Sequence, residues 1–189
     1  MKKTITHLLF SAALGLATLG LAQTVRADNG NPSGVFGLDY MGTTVGGPTF
    51  NRPIANGDNP PTSLSGTGTA VPFDMVQFSI AVTGSYNFFS SGTFDNYTFL
   101  YQNSFDPANP LTNVLIGNDD DPSIGTSGFT YTLQTGVNYF FVTTGFANTD
   151  AGTFHDTVSL VPEPRAWLLM SAGLVGLVFL RRFRRLAIR

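Results

Sequence analysis

The residues of this chain best suited to chemistry are acidic. Asn118-Asp119-Asp120-Asp121 sets three carboxylates side by side, ended by Pro122. Adjacent carboxylates repel one another unless a cation or open solvent relieves them, and hard oxygen donors of this kind suit Ca²⁺. Asp119, Asp120 and Asp121 are therefore candidate ligands of one weak calcium site. Gly117 and Pro122 are placed to tighten the turn, and Asp106 or backbone carbonyls would supply further oxygens. The stretch is not an EF-hand, because its sixth position is not glycine and its twelfth is not glutamate. The competing reading is a solvated acidic turn with no ion, and the residues leave both open. Calcium is the one cofactor that the sequence raises.

Catalytic constellations fare poorly. Gly125-Thr126-Ser127-Gly128 begins like a nucleophile elbow, but Phe129 stands where the second glycine belongs. His155 is the only histidine after the N-terminal apolar stretch, and it lies on an expected strand beside Asp156. A glycosidase needs two carboxylates tuned apart in pKa. The aspartates here are scattered on turns, where aspartate is ordinary turn chemistry. The sequence nominates no catalytic residue, and a non-enzymatic protein is expected. Asn96-Tyr97-Thr98 fits the glycosylation sequon, a pattern common by chance.

Charge narrows the partners. The 189 residues carry a formal net charge of −2, but the charges are unevenly placed. From Asp28 to Val161 there is one base, Arg52, against eleven aspartates and no glutamate, a net −10. Such a region repels nucleic acid and anionic lipid. There is no cysteine, which excludes a disulfide scaffold and cysteine-based zinc sites.

The two ends read as addresses. Met1-Lys2-Lys3 is a short positive region, Leu8 to Leu21 is apolar and rich in small residues, and Val25-Arg26-Ala27 offers small residues at −3 and −1. Together they predict a secretory signal peptide, residues 1–27, cleaved after Ala27; Ala22 is an alternative point, and an uncleaved anchor the alternative fate. At the other end, Arg165 and Arg181 bracket fifteen uncharged residues, 166–180. As a helix these span roughly 22 Å, short of a hydrocarbon core of about 30 Å. Trp167 at one interface, snorkelling arginines and local thinning make up the difference. Arg181, Arg182, Arg184 and Arg185 follow the run and predict a cytoplasmic C-terminus. A buried core helix is the other reading of the run.

The tail, residues 162–189, closely resembles the PEP-CTERM sorting domain of bacterial exported proteins. The resemblance rests on Val161-Pro162-Glu163-Pro164, the apolar run and the arginine cluster, in that order, with Leu186 to Arg189 extending past it. It implies recognition of Pro162, Glu163 and Pro164 by an exosortase, a membrane protease-transpeptidase that removes the tail. It also implies an outer-membrane envelope and a link to extracellular polysaccharide or biofilm. The partners expected are thus signal peptidase, an exosortase, the membrane as precursor, and extracellular polysaccharide.

Between the ends, residues 28–70 are rich in Gly, Pro, Asn, Ser and Thr and read mostly as loop, with a strand across Val35 to Tyr40. This predicts an irregular layer wrapped on the domain, or partial disorder. From 71 to 161 the period is two. Val76, Phe78, Ile80 and Val82 alternate with polar or small residues, Tyr97, Phe99 and Tyr101 with Thr98, Leu100 and Gln102, and Phe129, Tyr131 and Leu133 with Thr130, Thr132 and Gln134. Tyr139 to Val142 is apolar on both faces, and Phe154, Val158 and Leu160 close the series. Glycines punctuate it. The pattern predicts an all-β, jelly-roll-like antiparallel sandwich. Gly84 to Phe88, Tyr97 to Tyr101, Asn118-Asp119-Asp120, Leu133 to Val142 and Gly152-Thr153-Phe154 together resemble a pre-peptidase C-terminal type of β-sandwich. That resemblance implies an accessory or binding module with no chemistry of its own. The expectation is an exported cell-surface or matrix protein with a structural or adhesive role. The alternatives are a carbohydrate- or calcium-binding accessory module and, third, a secreted hydrolase.

Overall fold

Two antiparallel sheets face one another in the computed structural model, which describes Gln23–Thr24, residues 37–55 and residues 59–161. The expected signal peptide (apart from Gln23–Thr24), Ala27, Pro162-Glu163-Pro164, the apolar run 166–180 and the arginines at 181, 182, 184 and 185 lie outside those residues. Among the described residues no helix is long and apolar enough to cross a membrane. The strands are β1 (Gln23–Thr24), β2 (Gly37–Thr43), β3 (Thr49–Phe50), β4 (Val71–Phe78), β5 (Gly84–Gly92), β6 (Asn96–Gln102), β7 (Val114–Asn118), β8 (Thr126–Leu133), β9 (Tyr139–Gly145) and β10 (Thr153–Leu160). One sheet runs β1-β4-β9-β6-β7, with β3 also on β4; the other runs β2-β10-β5-β8. Pairing is antiparallel except for β1, which lies parallel to β4.

The strands form where threonine, valine and aromatic residues alternate. One row from each sheet meets between the layers: Val76, Phe78, Leu100, Tyr139 and Phe141 from the first, Leu38, Tyr86, Phe88, Leu133 and Val158 from the second. Phe88 stacks on Phe129 at 4.9 Å and meets Phe141 edge-on at 5.2 Å.

The alternation of Tyr97, Phe99 and Tyr101 suggests one buried face on β6. The structure buries both. Leu100 points into the space between the sheets, while Tyr97, Phe99 and Tyr101 point to the other side and join a second core with Phe50, Phe73, Val114 and Val142. Phe105 meets Phe50, Phe73 and Tyr101 at ring distances of 5.7, 5.1 and 4.7 Å. Gly117 lies opposite Phe99 in the β6–β7 ladder, and a Cβ there would collide with the Phe99 ring. The small residue is what lets that ring lie flat on the sheet.

The segment 28–70 is more than loop. Its strand reaches from Gly37 to Thr43 and forms the edge of the second sheet, paired with β10 from Gly37↔Ser159 to Thr43↔Thr153. Phe50 on β3 is 4% exposed and belongs to the second core. Residues 51–55 and 59–70 then close over that core without a regular ladder, held by Arg52 N–H to the Gly68 carbonyl (3.0 Å) and Ile54 N–H to the Ser63 carbonyl (2.9 Å). The sequence hides this because glycine, proline and asparagine dominate the segment while its few apolar side chains do the packing.

Phe50→Ala is expected to cost about 3–5 kcal/mol, as large as Phe88→Ala between the sheets, because each empties a filled aromatic site. Urea unfolding of the two variants checks this. A loss below about 1 kcal/mol for Phe50→Ala would mean that the 44–70 layer only drapes the sheet.

Candidate functional site

The antiparallel β6–β7 pair brings the acidic residues together. Thr98 pairs with Asn118, so the residue before β6 and the residues after β7 meet at one end of the hairpin. Carboxylate oxygens of Asp95, Asp119 and Asp120 lie within 4.8 Å of one another. Asp121, the third expected ligand, is not in this group; its N–H donates to the Thr126 carbonyl at 3.0 Å. Asp106 follows β6 at the opposite end of the hairpin and is occupied locally, accepting from Ala108 N–H at 2.9 Å and Asn109 Nδ2 at 2.7 Å. The acidic set of the structure therefore replaces Asp121 with Asp95. Sequence distance concealed Asp95, and only the strand register supplies it.

Electrostatics within the group are tense. Burial, then Asp120 and Asp95, push the Asp119 carboxyl up to about 6. Burial, then Asp120 and Asp150, raise Asp95 as well. One oxygen of each, Asp95 Oδ1 and Asp119 Oδ1, is buried without a hydrogen-bond partner. Arg52 is the compensating charge, and it lowers both. The residue is 2% exposed; its guanidinium carbon lies 4.2 Å from the Tyr97 ring centroid and 4.8 Å from that of Phe146, and the group donates to the carbonyls of Phe146 and Pro53. Three clustered carboxylates, two of them with an unpartnered oxygen, are donors a hard divalent cation accepts, so Asp95, Asp119 and Asp120 are the residues that would hold Ca²⁺.

A second carboxyl escaped the sequence reading. Asp156 sits inside the sandwich at 1% exposure, among a polar set that fills this end of the intersheet space. Thr143 Oγ1 donates to its Oδ2 at 2.7 Å, and its Oδ1 has no hydrogen-bond partner. Beside it Asn96 Nδ2 donates to Ser90 Oγ at 2.9 Å, and Thr98 and Ser127 share a hydrogen bond of 2.6 Å. Burial pushes the Asp156 carboxyl up to about 7, with Asp74 adding to the rise and Ser90, Thr143 and His155 opposing it. The signal was present: Phe154, Val158 and Leu160 alternate inward on β10, and position 156 falls in the same row.

The elbow-like stretch becomes structure. Ser127 is fully buried on β8, and its hydroxyl bonds Thr98 and the Asn118 carbonyl (2.8 Å). His155 stands on the outer face of β10, its Nε2 2.7 Å from Asp39 Oδ1 on β2. Asn96, of the sequon, is buried at the start of β6.

No protein-family model matches the chain. No curated protein matches it either. Among solved structures, the pre-peptidase C-terminal domain of a collagenase from Bacillus anthracis is similar at 13% identity, covering 73% of this chain and 94% of that one, with a TM-score of 0.43. PliG of Aeromonas hydrophila, a periplasmic inhibitor of g-type lysozyme, is similar at 12% identity over 74% and 97%, with a TM-score of 0.41. Likeness of this degree carries no inference about activity.

Two outcomes follow from the carboxyls. Raised pKa values mean that the folded protein holds more protons than the unfolded chain between about pH 4 and pH 7, so stability falls as pH rises through that window. Urea unfolding from pH 4.5 to 8 is expected to show that fall, and Asp156→Asn to flatten its upper part; a variant with the wild-type slope would place the titration elsewhere. Ca²⁺ at ten times a Kd of about 10⁻⁴–10⁻³ M adds about 1.4 kcal/mol, several degrees in melting temperature. Melting with Ca²⁺ and with EDTA tests this, and Asp95→Asn/Asp119→Asn is expected to abolish the difference. A wild-type melt indifferent to Ca²⁺ would leave the group as an acidic turn relieved by Arg52.

Proposed function

We propose that the protein is an exported, exosortase-sorted component of the cell surface or extracellular matrix, with a structural or adhesive role. A secretory signal at residues 1–27 sends it across the inner membrane. The apolar run 166–180 and the arginines after it hold the precursor there until an exosortase acts at Pro162-Glu163-Pro164. The mature sandwich then remains at the surface or is released, in contact with extracellular polysaccharide.

One observation carries the structural reading: the aromatic residues are spent on packing. Among the described residues Phe146 is the only aromatic side chain classed as exposed, and Arg52 already lies over its ring. Polysaccharide-binding modules of the stacking type place flat aromatic rings on an open face; here such rings fill two cores. The outward rows of the second sheet carry Thr130 and Thr132, Asn87 and Ser159, with half-buried Phe89 as the single ring among them. A calcium-binding accessory module is the second reading, and the Asp95, Asp119 and Asp120 group supports it.

Mass spectrometry of the protein released by its native host tests the sorting reading. Peptides are expected to end near Pro162-Glu163-Pro164, with nothing from Leu168 to Leu180. Recovery of that apolar stretch in the released form would sink the proposal.

A further inference from the structure

Among the described residues no strand is packed across the outer face of the second sheet. The register sets out its side chains in rows. From β2 to β8 one row is Asp39, Thr157, Phe89 and Gly128. Their neighbours Leu38, Val158, Phe88 and Phe129 point the other way, between the sheets. Phe89 is half-buried and belongs to neither core. It leans over Gly128. The point where a Cβ would stand on that glycine is 3.6 Å from Phe89 Cδ2 and 3.4 Å from Asp121 Oδ2. The missing side chain thus lets a ring from β5 and a carboxylate from the β7–β8 loop approach one point on the outer face.

The loop fixes that carboxylate in place. Asp121 N–H donates to the Thr126 carbonyl at 3.0 Å, and Thr126 donates to the Ser123 carbonyl through its N–H at 2.9 Å and its Oγ1 at 2.7 Å. The Asp121 carboxylate itself is exposed, and among the described residues it has no hydrogen-bond donor and no cation. Asp39, at the far end of the row, is already held by His155 Nε2 at 2.7 Å. Arg52, the one lysine or arginine among the described residues, lies beyond the other sheet, against Tyr97 and Phe146.

A ring beside a free carboxylate is complementary to a guanidinium, which stacks on aromatic faces and meets a carboxylate with its planar fork. The protein uses the stacking half of this chemistry inside itself, where the Arg52 guanidinium carbon lies 4.2 Å from the Tyr97 centroid. The net charge of −10 from Asp28 to Val161 draws cations to the surface. Around the ring Asn87, Ser91 and Thr130 are polar and uncharged, so nothing there repels a peptide backbone. We propose that this face docks a basic segment of a partner protein through an arginine, its guanidinium on the Phe89 ring and its fork on Asp121. A neutral glycan leaves the carboxylate unanswered, and an acidic one is repelled. The proposal goes beyond the matrix reading and does not depend on sorting: mass spectrometry decides the tail, and calorimetry decides this face.

The experiment is isothermal titration calorimetry of the full-length protein in detergent micelles at pH 7, in calcium-free buffer. At about 0.15 M salt, exposed charges more than about 8 Å apart are largely screened. The probes are triarginine, trilysine and, as the competing class, maltotetraose. Triarginine is expected to bind at least about threefold more tightly than trilysine, because only the guanidinium stacks and forks. Asp121→Asn and Phe89→Leu, each shown folded by its thermal melt, are expected to weaken triarginine at least about threefold, the scale of an exposed ion pair or cation–π contact. Asp106→Asn removes the same charge at the opposite end of the β6–β7 hairpin and is expected to change binding less than about twofold. Triarginine and trilysine are compared on the unaltered protein, so the test survives a variant that does not fold. Equal binding of the two peptides, no binding of triarginine, or tighter binding of maltotetraose would each overturn the proposal. So would a folded Asp121→Asn or Phe89→Leu that binds as the wild type does, or an Asp106→Asn that weakens binding as much.

Discussion

A sheet that is apolar on both faces has to be covered twice. That constraint organises this protein. β6 and β9 place Leu100 and Phe141 toward the second sheet, and Tyr97, Phe99, Tyr101 and Val142 away from it. The second sheet covers one side. The other is left to irregular chain, residues 51–55 and 59–70 and the loop after β6, which must bring apolar side chains without the ladder that satisfies backbone groups in a strand. The buried tyrosines resolve this. Tyr97 accepts the Ala55 N–H at 2.6 Å, and Tyr101 donates to the Pro110 carbonyl at 2.9 Å. Each ring fills the core while its hydroxyl satisfies the chain that closes over it.

The same layer explains the one basic residue between Asp28 and Val161. Burying a guanidinium is costly unless its donors and its charge are answered. Arg52 meets that demand with two rings, two carbonyls and the nearby carboxylates of Asp95 and Asp119. A lysine offers neither the planar face for Tyr97 and Phe146 nor the fork for two carbonyls. Arg52 thus joins the 51–70 layer to the β9–β10 connection and offsets part of the charge of the acidic group. What it leaves uncompensated is the charge that a cation at that group would relieve.

The interior is divided along the strands. Phe78, Tyr86, Leu133 and Tyr139 occupy the end near Ser159; Asp156, Ser90, Asn96, Thr98 and Ser127 occupy the other. The described chain enters β2 and leaves β10 side by side at the apolar end, through the pair Gly37↔Ser159. The group of Asp95, Asp119 and Asp120 lies toward the polar end, about 25 Å away along an eight-residue strand. A tether that begins after Val161 would present that pole outward.

Period two was legible from residues alone, because side-chain direction alternates in any strand whatever it packs against. The all-β class, the strands from 71 to 160, the acidic character and the sparse base content follow from that local rule and from counting. The acidic turn at 119–121 was equally visible. Which aspartates converge was not: Asp95 reaches Asp119 only through the β6–β7 register, and Asp121 leaves the group through its bond to Thr126. Nor was the second buried face of β6, since alternation tells which residues share a side and not what lies over it. A layer wrapped on the domain was one of the two readings of residues 28–70, but its anchors were not legible. A covering layer needs only a few, here Phe50 and Arg52, and their neighbours are free to be glycine, proline and asparagine. Long-range pairing decides such matters, because the energy of burying a face depends on the partner that covers it, and that partner lies elsewhere in the chain.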